Sequence, residues 1–317
     1  MKLQKQILNF LIFIASVLFG IVSCELFARK LGLGNPLLYQ SDNLIGYRLK
    51  PNQSNIRRKG AIVSTDFEGF RYNPNKTLQA IPKYIVFVGD SVTYGGSYIK
   101  DQNLFSSIFC DISNKDFFCL NNGVNAWGVS NMARFIINYD LYSKREPERF
   151  ILVILPGDEE RNLKTLKDTP FWSNKPNQPA ALNEIIKYLL QRHFIPNMHE
   201  NKVSNSGIKR SLNLKKIQKN IIWEELSFLL KKSKHPIDIV ITPPKNWFED
   251  NTRKDEIKYY SNNLKKIKNL KVINNACNLY DYIYPIYEDS LYVDGVHLSE
   301  KGHKVWAEKI EFCLRNN

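Results

Sequence analysis

The stretch Tyr84-Ile85-Val86-Phe87-Val88-Gly89-Asp90-Ser91 decides how the rest of this sequence folds. Its first five residues form a continuous apolar run, which predicts a strand buried on both faces, as in a parallel sheet. Gly89 and Gly95 permit a tight turn from this strand into a helix. The sequence therefore predicts that Ser91 lies at the carboxyl end of a buried strand.

Further apolar runs alternate with helical patterns along the chain. The predicted strands cover 117–121, 149–155, 237–242 and 271–273, and the predicted helices lie near 103–113, 129–144, 253–268 and 299–314. Such alternation predicts an α/β fold, a three-layer α/β/α doubly wound parallel sheet. Sites in these sheets form at the carboxyl ends of the strands. Ser91, Gly123 and Gly157 all follow predicted strands and are expected to share one site.

The chain divides into three predicted regions. Residues 1–30 are an N-terminal membrane anchor with a transmembrane helix, residues 31–80 an extended arm, and residues 81–317 the main domain. Residues 163–210 are interpreted as an inserted helical cap beside the site, with a peripheral decoration as the alternative. The anchor is predicted because Ile7 to Ser23 are almost all apolar and follow Lys2 and Lys5.

Three outcomes are open for the anchor. We favour an uncleaved signal anchor with a cytoplasmic N-terminus and an exported, periplasmic main domain. The alternatives are lipidation of Cys24, which follows Ile21-Val22-Ser23 as in a lipoprotein cleavage box, and simple cleavage with secretion. The first two would tether the domain to a membrane.

The net charge of +14 is high for 317 residues. A basic surface favours anionic glycans or lipids, although a general lysine- and asparagine-rich bias is the simpler explanation. No basic run interleaved with aromatic residues indicates a nucleic-acid groove, so nucleic acid is not expected as a partner. No Cys-x-x-Cys or histidine-rich spacing indicates a metal, and no cofactor is predicted.

Four cysteines follow Cys24. An even number outside the cytoplasm permits disulfides, and four small buried apolar residues are the alternative. Cys110 ends one predicted helix and Cys119 lies in the next strand, so these two are placed to pair, whereas no pairing is assigned to Cys277 and Cys313.

The segment Asp294-Gly295-Val296-His297 supplies the remaining parts of a serine-based site. A serine hydroxyl needs a general base within hydrogen-bond reach before it can act as a nucleophile. His297 is the predicted base and Asp294 its orienting acid, because the spacing of three lets the carboxylate reach one ring nitrogen while the other faces Ser91. His303 is predicted to be a structural residue of the last helix.

These motifs resemble those of the SGNH hydrolase family, also called GDSL lipases and esterases. Gly89-Asp90-Ser91 is similar to the first block, Asn122-Gly123-Val124-Asn125 to the second, and Asp294-Gly295-Val296-His297 to the last, over roughly residues 80–316. The resemblance implies that the backbone N–H groups of Ser91 and Gly123 stabilise an oxyanion. It also implies a bacterial envelope role, because membrane-tethered members often stand beside polysaccharide machinery.

The third block departs from the family pattern. Gly157-Asp158-Glu159 has no asparagine two residues after the glycine, where the family has an oxyanion donor. A carboxylate only accepts hydrogen bonds and would repel the developing charge. Arg161 or Asn162 is our candidate replacement. The alternatives are a hole built from Ser91 and Gly123 alone, or low activity.

The expected function is a serine esterase acting on ester groups, above all O-acetyl groups, of a carbohydrate or envelope glycan. An O-acyltransferase uses the same triad, and a non-catalytic glycan-binding or assembly protein with a relic triad is the alternative from another class. Candidate substrate-binding residues are Asp90, Asn125, Trp127 and Asp158. Trp172 and Trp247 join Trp127 as candidates for stacking on sugars, with a place in the core as the alternative.

Overall fold

The structure is a computed structural model that describes residues 2–76, 83–113, 116–161, 163, 165–166, 181–186 and 222–316. The strands of this part are β1 (Tyr39–Asp42), β2 (Gly46–Leu49), β3 (Gln53–Ile56), β4 (Ile62–Thr65), β5 (Lys83–Gly89), β6 (Phe117–Gly123), β7 (Pro147–Ile154), β8 (Ile237–Ile241) and β9 (Ile273–Asn278).

The α-helices are α1 (Lys2–Lys30), α2 (Ser91–Tyr94), α3 (Phe105–Ser113), α4 (Val129–Ile137), α5 (Asn246–Glu249), α6 (Lys254–Ile267), α7 (Tyr280–Ile283) and α8 (Glu300–Asn316). Residues 181–186 and 222–230 are helical as well.

Strands β5 to β9 form one parallel sheet in the order β6-β5-β7-β8-β9. The strand order reverses beside β5, which is the crevice where doubly wound sheets build their sites. The predicted parallel sheet is confirmed, but its last strand begins and ends later in the chain than the predicted range of 271–273. Residues 271–273 lead into β9, which runs from Ile273 to Asn278. Most side chains of β9 are polar, so the sequence shows no apolar run that would predict a strand there.

Helices cover both faces of this sheet. Because successive side chains of a strand point to opposite faces, Val86 and Val88 pack with α4, residues 222–230 and α6, whereas Ile85 and Phe87 pack with α3 and α8. All four side chains are fully buried. The predicted three-layer arrangement is therefore what the core shows.

Two disulfides fasten helices on one face of the sheet to strands of the sheet. Cys110 of α3 is bonded to Cys119 of β6, and Cys277 of β9 is bonded to Cys313 of α8. The pairing that spacing permitted for the first two cysteines is present, and the last two pair as well. Cys24 on α1 is free and exposed.

The arm forms two antiparallel hairpins, β1–β2 and β3–β4. It joins the free edge of the main sheet at Arg71, whose N–H donates to Asn121 O (2.9 Å) while its carbonyl accepts from Asn121 N (2.8 Å). This antiparallel bridge fixes the arm against β6, close to the carboxyl ends of the parallel strands.

Helix α1 is long and apolar enough to cross a membrane. Residues Leu3–Lys30 contain an 18-residue window with a mean hydropathy of 2.5, none of which is buried against the rest of the protein. A membrane anchor and a signal sequence both have these properties. Of the predicted cap, residues 163, 165–166 and 181–186 are described, and the remainder lies outside the described residues.

Candidate active site

Ser91 is the first residue of α2, directly after β5. Asp90 caps this helix, its Oδ1 accepting from Val92 N at 2.8 Å, and Gly95 ends it in the left-handed region with φ 82°. A Cβ on Gly89 would lie 2.0 Å from Thr93 Oγ1, so only glycine allows the strand to turn so sharply into the helix. The turn leaves Ser91 partly exposed at the carboxyl edge of the sheet.

The structure brings Ser91, His297 and Asp294 into one hydrogen-bonded chain. Ser91 Oγ lies 2.9 Å from His297 Nε2, and His297 Nδ1 lies 2.8 Å from Asp294 Oδ2. A neutral imidazole with its proton on Nδ1 would donate to the carboxylate and accept from the hydroxyl. This is the order of contacts that a nucleophile, a base and an orienting acid require.

Backbone hydrogen bonds hold the loop of residues 292–298, which carries Asp294 and His297. Val293 N donates to His297 O at 2.9 Å, and Tyr292 pairs with Leu298 in an isolated antiparallel bridge. Lys245 N donates to Gly295 O at 2.9 Å. The loop is thereby fixed between the residues after β8 and the start of α8.

The Asp294 carboxylate is held in its ionised form. Partial burial pushes its pKa upward, but hydrogen bonds from the backbone N–H groups of His297 and Val296 outweigh that effect, and the pKa is lowered from its usual value. Those two N–H groups reach Asp294 Oδ1 at 2.8 and 2.9 Å. An ionised Asp294 can accept a hydrogen bond from His297 Nδ1–H.

The N–H of Gly123, which is the predicted oxyanion donor, is not free in this structure. It donates to Asn121 Oδ1 at 2.8 Å and is therefore occupied. Glycine is needed at this position for a different reason: a Cβ would lie 2.0 Å from Tyr94 N, inside the backbone of α2. Gly123 permits the close approach of the nucleophile helix to β6.

Ala126, in the loop after β6, has a backbone conformation that the sequence did not reveal. It has a φ of 63°, in the left-handed region that non-glycine residues seldom adopt. The arm holds its neighbour on both sides: Tyr47 OH donates to Asn125 O, and Asn125 Nδ2 donates to Tyr39 OH, both at 2.6 Å. Within the described part of the chain, nothing accepts a hydrogen bond from the N–H of Ala126 or of Ser91.

Arg161 forms an ionic cluster with Asp158 and with Asp90, the residue that precedes Ser91. Its Nη1 is 2.8 Å from Asp158 Oδ1 and 3.2 Å from Asp90 Oδ2, and it donates to Trp127 O at 3.0 Å. Asp158 Oδ2 accepts from Leu155 N at 2.9 Å. Arg161 Nη1 is thus engaged inside the protein, and a role of Arg161 as an oxyanion donor stays a prediction. The other candidate, Asn162, lies outside the described residues.

Burial dominates the electrostatics of this cluster. Desolvation, followed by the nearby charge of Asp90, raises the pKa of Asp158 well above its usual value, while Arg161 opposes the shift.

The predicted substrate contacts mostly turn inward. Asp90, Trp127 and Asp158 are buried, with at most 1% of each residue exposed, and Trp127 Nε1 donates to Tyr47 O; these three predictions are wrong. Asn125 is half-buried and uses its amide on the arm. Trp247 is also buried, and Trp172 lies outside the described residues. Among the residues that the structure describes, no group of three or more His, Cys, Asp or Glu is placed to hold a metal.

Solved structures of similar arrangement include lipolytic proteins and esterases. A member of the lipolytic G-D-S-L family from Veillonella parvula is 14% identical, with 74% of this chain and 100% of that one covered and a TM-score of 0.44. A catalytic mutant of Axe2, an acetylxylan esterase from Geobacillus stearothermophilus, is 12% identical, with 76% and 97% covered and a TM-score of 0.45. LAE5, an α/β hydrolase enzyme from the metagenome of Lake Arreo, is 14% identical, with 74% and 98% covered and a TM-score of 0.41.

No protein-family model and no curated protein matches the sequence. The solved structures are similar to this chain in overall arrangement only, and a shared arrangement does not fix a substrate.

Proposed function

We propose that this protein is a membrane-anchored serine esterase that removes acyl groups, above all O-acetyl groups, from an envelope glycan. The observation that carries the proposal is the continuous hydrogen-bonded chain from Ser91 through His297 to Asp294. The motifs that resemble the SGNH family support the same reaction class.

In the proposed reaction, Ser91 Oγ attacks the ester carbonyl while His297 Nε2 takes its proton. The bond from the carbonyl carbon to the sugar oxygen then breaks, His297 gives that proton to the departing sugar oxygen to form its hydroxyl, and an acyl-enzyme remains on Ser91. Water attacks this intermediate with His297 again acting as base, which releases the acid and restores the serine. Ionised Asp294 stabilises the imidazolium that forms in both steps.

The developing oxyanion is assigned to two backbone N–H groups, those of Ser91 and Ala126. Ser91 supplies the N–H at the start of α2, where helical N–H groups have no carbonyl partner and favour negative charge. Ala126 supplies the second because its strained backbone holds the loop after β6 in a fixed conformation. This pair replaces the Gly123 donor expected from the sequence.

A serine-directed fluorophosphonate probe tests the nucleophile. We expect labelling of the wild type and of Ser97→Ala, a matched hydroxyl deletion close to the site, and no labelling of Ser91→Ala. Equal labelling of the two variants, or no labelling of a folded wild type, would contradict the proposal and favour a non-catalytic glycan-binding protein.

The acceptor decides between a hydrolase and an acyltransferase, because a sugar hydroxyl can replace water in the second step. Acetate release is measured from an acetylated oligosaccharide, with and without a second, unacetylated oligosaccharide. Free acetate as the main product in both samples supports the esterase. Transfer of most acetyl groups to the added sugar supports the transferase.

We further propose that the main domain is exported and tethered by α1. Its two disulfides support an oxidising compartment. Alkaline phosphatase fused after Asn317 should be active in cells if the domain is exported, and the fusion should sediment with membranes. A soluble fusion would indicate a cleaved signal, and an inactive one a cytoplasmic domain.

A further inference from the structure

We infer that the tip of the β3–β4 hairpin, residues 56–62, rests on the surface of the membrane that α1 enters. We call this segment the hairpin tip. The inference rests on the proposed membrane anchor and adds a second, peripheral contact between the protein and the lipid.

The hairpin tip presents a pair of apolar side chains to solvent. Ile56 and Ile62 are direct partners in the strand register, so their side chains lie side by side on one face. They are 63% and 48% exposed. Lys59, between them at the turn, is also exposed. Two adjacent branched apolar side chains next to a cation match the boundary between acyl chains and phosphate groups.

The residues on either side of Ile56 bind the segment that follows the anchor. Asn55 Nδ2 donates to the carbonyls of Asn35 and Pro36, both at 3.1 Å. Arg57 forms an ion pair with Glu184. The hairpin tip is therefore held beside the point where the chain leaves α1.

Glu184 extends this link to the anchor itself. Its carboxylate accepts from Gly34 N at 2.7 Å. The first residues of the same helical stretch, Ala181 and Leu182, donate their N–H groups to the Glu25 carboxylate on α1 at 2.8 and 3.0 Å. Helical residues 181–186 thus connect the last turns of the anchor to the hairpin tip.

The length of α1 places that connection at the lipid surface. From Lys5 to Glu25 the helix rises about 30 Å at about 1.5 Å per residue, which equals the thickness of the hydrocarbon core of a bilayer, about 30 Å. Glu25 would lie at the boundary with the head groups. The hairpin tip, tied to the same level, would reach those head groups with Lys59, as would Lys30 at the end of α1.

This contact would hold the candidate active site near the membrane. Lys59 Nζ lies 5.8 Å from the centre of the Tyr98 ring. Tyr98 OH in turn donates to Leu298 O at 3.0 Å, next to His297. An ester carried at the membrane surface would then be within reach of Ser91.

The test uses the full chain in vesicles of phosphatidylcholine and phosphatidylglycerol. In a Cys24→Ser background, the fluorophore NBD is attached to one new cysteine at a time: Ile56→Cys, Ile62→Cys, Leu18→Cys inside the anchor, and Leu141→Cys. Leu141 is the matched control, because it is 68% exposed and precedes β7, at the amino-terminal edge of the sheet. Quenching by doxyl-labelled lipids reports contact with the bilayer.

We expect labels at positions 56 and 62 to be quenched several-fold more strongly than the label at 141. Quenching at 18 combined with control-level quenching at 56 and 62 would overturn the hairpin contact while leaving the anchor intact. Control-level quenching at 18 as well would overturn the anchor, and the inference with it.

A functional readout accompanies the labels. In the full chain, Ile56→Ser combined with Ile62→Ser should lower hydrolysis of an acetyl ester displayed on vesicles several-fold and leave hydrolysis of a soluble acetyl ester unchanged. Equal loss on both substrates, or no loss on either, would contradict a lipid-contact role.

Discussion

Replacing Arg71 with methionine tests whether the arm holds the nucleophile turn in place. Arg71 is completely buried. Its guanidinium donates to Asp101 Oδ1 (2.7 Å), Tyr94 O (2.6 Å), Gly96 O (2.8 Å) and Ile99 O. Three of these acceptors are carbonyls at and after the end of α2, the one-turn helix that begins with Ser91. Methionine fills a similar volume without donating any hydrogen bond.

The loss of stability in Arg71→Met follows from the buried acceptors that lose their donor, above all the Asp101 carboxylate. Removing one member of a buried ion pair costs about 3–5 kcal/mol, because the other charge stays buried without compensation. This is a large share of the about 5–15 kcal/mol that stabilises a typical domain. Burial already raises the pKa of Asp101, and Arg71 is the main group that lowers it. In Arg71→Met, Asp101 should therefore be protonated in the folded state at higher pH than in the wild type.

The sign of the pH dependence is fixed by that shift. When the pKa of a carboxyl is higher in the folded than in the unfolded state, the free energy of unfolding decreases as the pH rises through the folded pKa. The destabilisation of Arg71→Met should therefore be larger at pH 8 than at pH 5. Adding Asp101→Asn should recover about 0.5–3 kcal/mol, since residues in contact couple by such amounts.

Urea unfolding of the wild type, both single variants and the double variant measures these energies, with probe labelling of Ser91 as the readout of the turn. Additive losses in the double variant would refute the ion-pair reasoning. Full labelling of a folded Arg71→Met protein would show that the turn holds without the arm.

Three further predictions concern stability and the site. His303 is buried, and burial lowers its pKa to about 3. Since its pKa in the unfolded state is higher, the free energy of unfolding should fall by about 2 kcal/mol from pH 7 to pH 5. His303→Asn should remove this pH dependence, as measured by urea unfolding. Gly123→Ala places a methyl group 2.0 Å from a backbone atom of α2 and should abolish probe labelling, whereas Ala126→Gly keeps the N–H and should retain it; the reverse order would contradict the assigned roles. Replacing Cys277 and Cys313 with serine opens a loop of 36 residues and should cost about 4 kcal/mol, measured by urea unfolding; an unchanged midpoint would show that the bond does not constrain the unfolded chain.

The sheet was predictable where its strands are buried on both faces. Runs such as Ile151 to Leu155 have no polar residue, because helices cover both of their sides. Strand β9 lies at the edge of the sheet, and two of its side chains, Asn274 and Asn275, serve hydrogen bonds instead of the core. An edge strand of this kind gives no apolar signal, which explains the misplaced boundary.

The contacts of the site were predictable only where short spacing fixes the geometry. Asp294 and His297 are three positions apart, so a local turn suffices to join them. The difference between Gly123 and Ala126 depends on backbone dihedrals and on which N–H is already occupied. Neither property is visible in residue types, because alanine gives no sign of a left-handed backbone.

The third block shows how a correct chemical rule led to a wrong expectation. A carboxylate beside a developing oxyanion would repel it, and the sequence places Glu159 at the position of the family's donor, two residues after Gly157. In the structure Glu159 instead turns into the protein, where it accepts from Gly157 N and from Tyr260 OH, while its neighbour Asp158 pairs with Arg161. Arg161 also contacts Asp90, the residue that caps the nucleophile helix. The exchanged block thus buries the carboxylates of Asp158 and Glu159 and places the Arg161 cation beside Asp90. This arrangement agrees with the proposal that backbone N–H groups form the oxyanion hole.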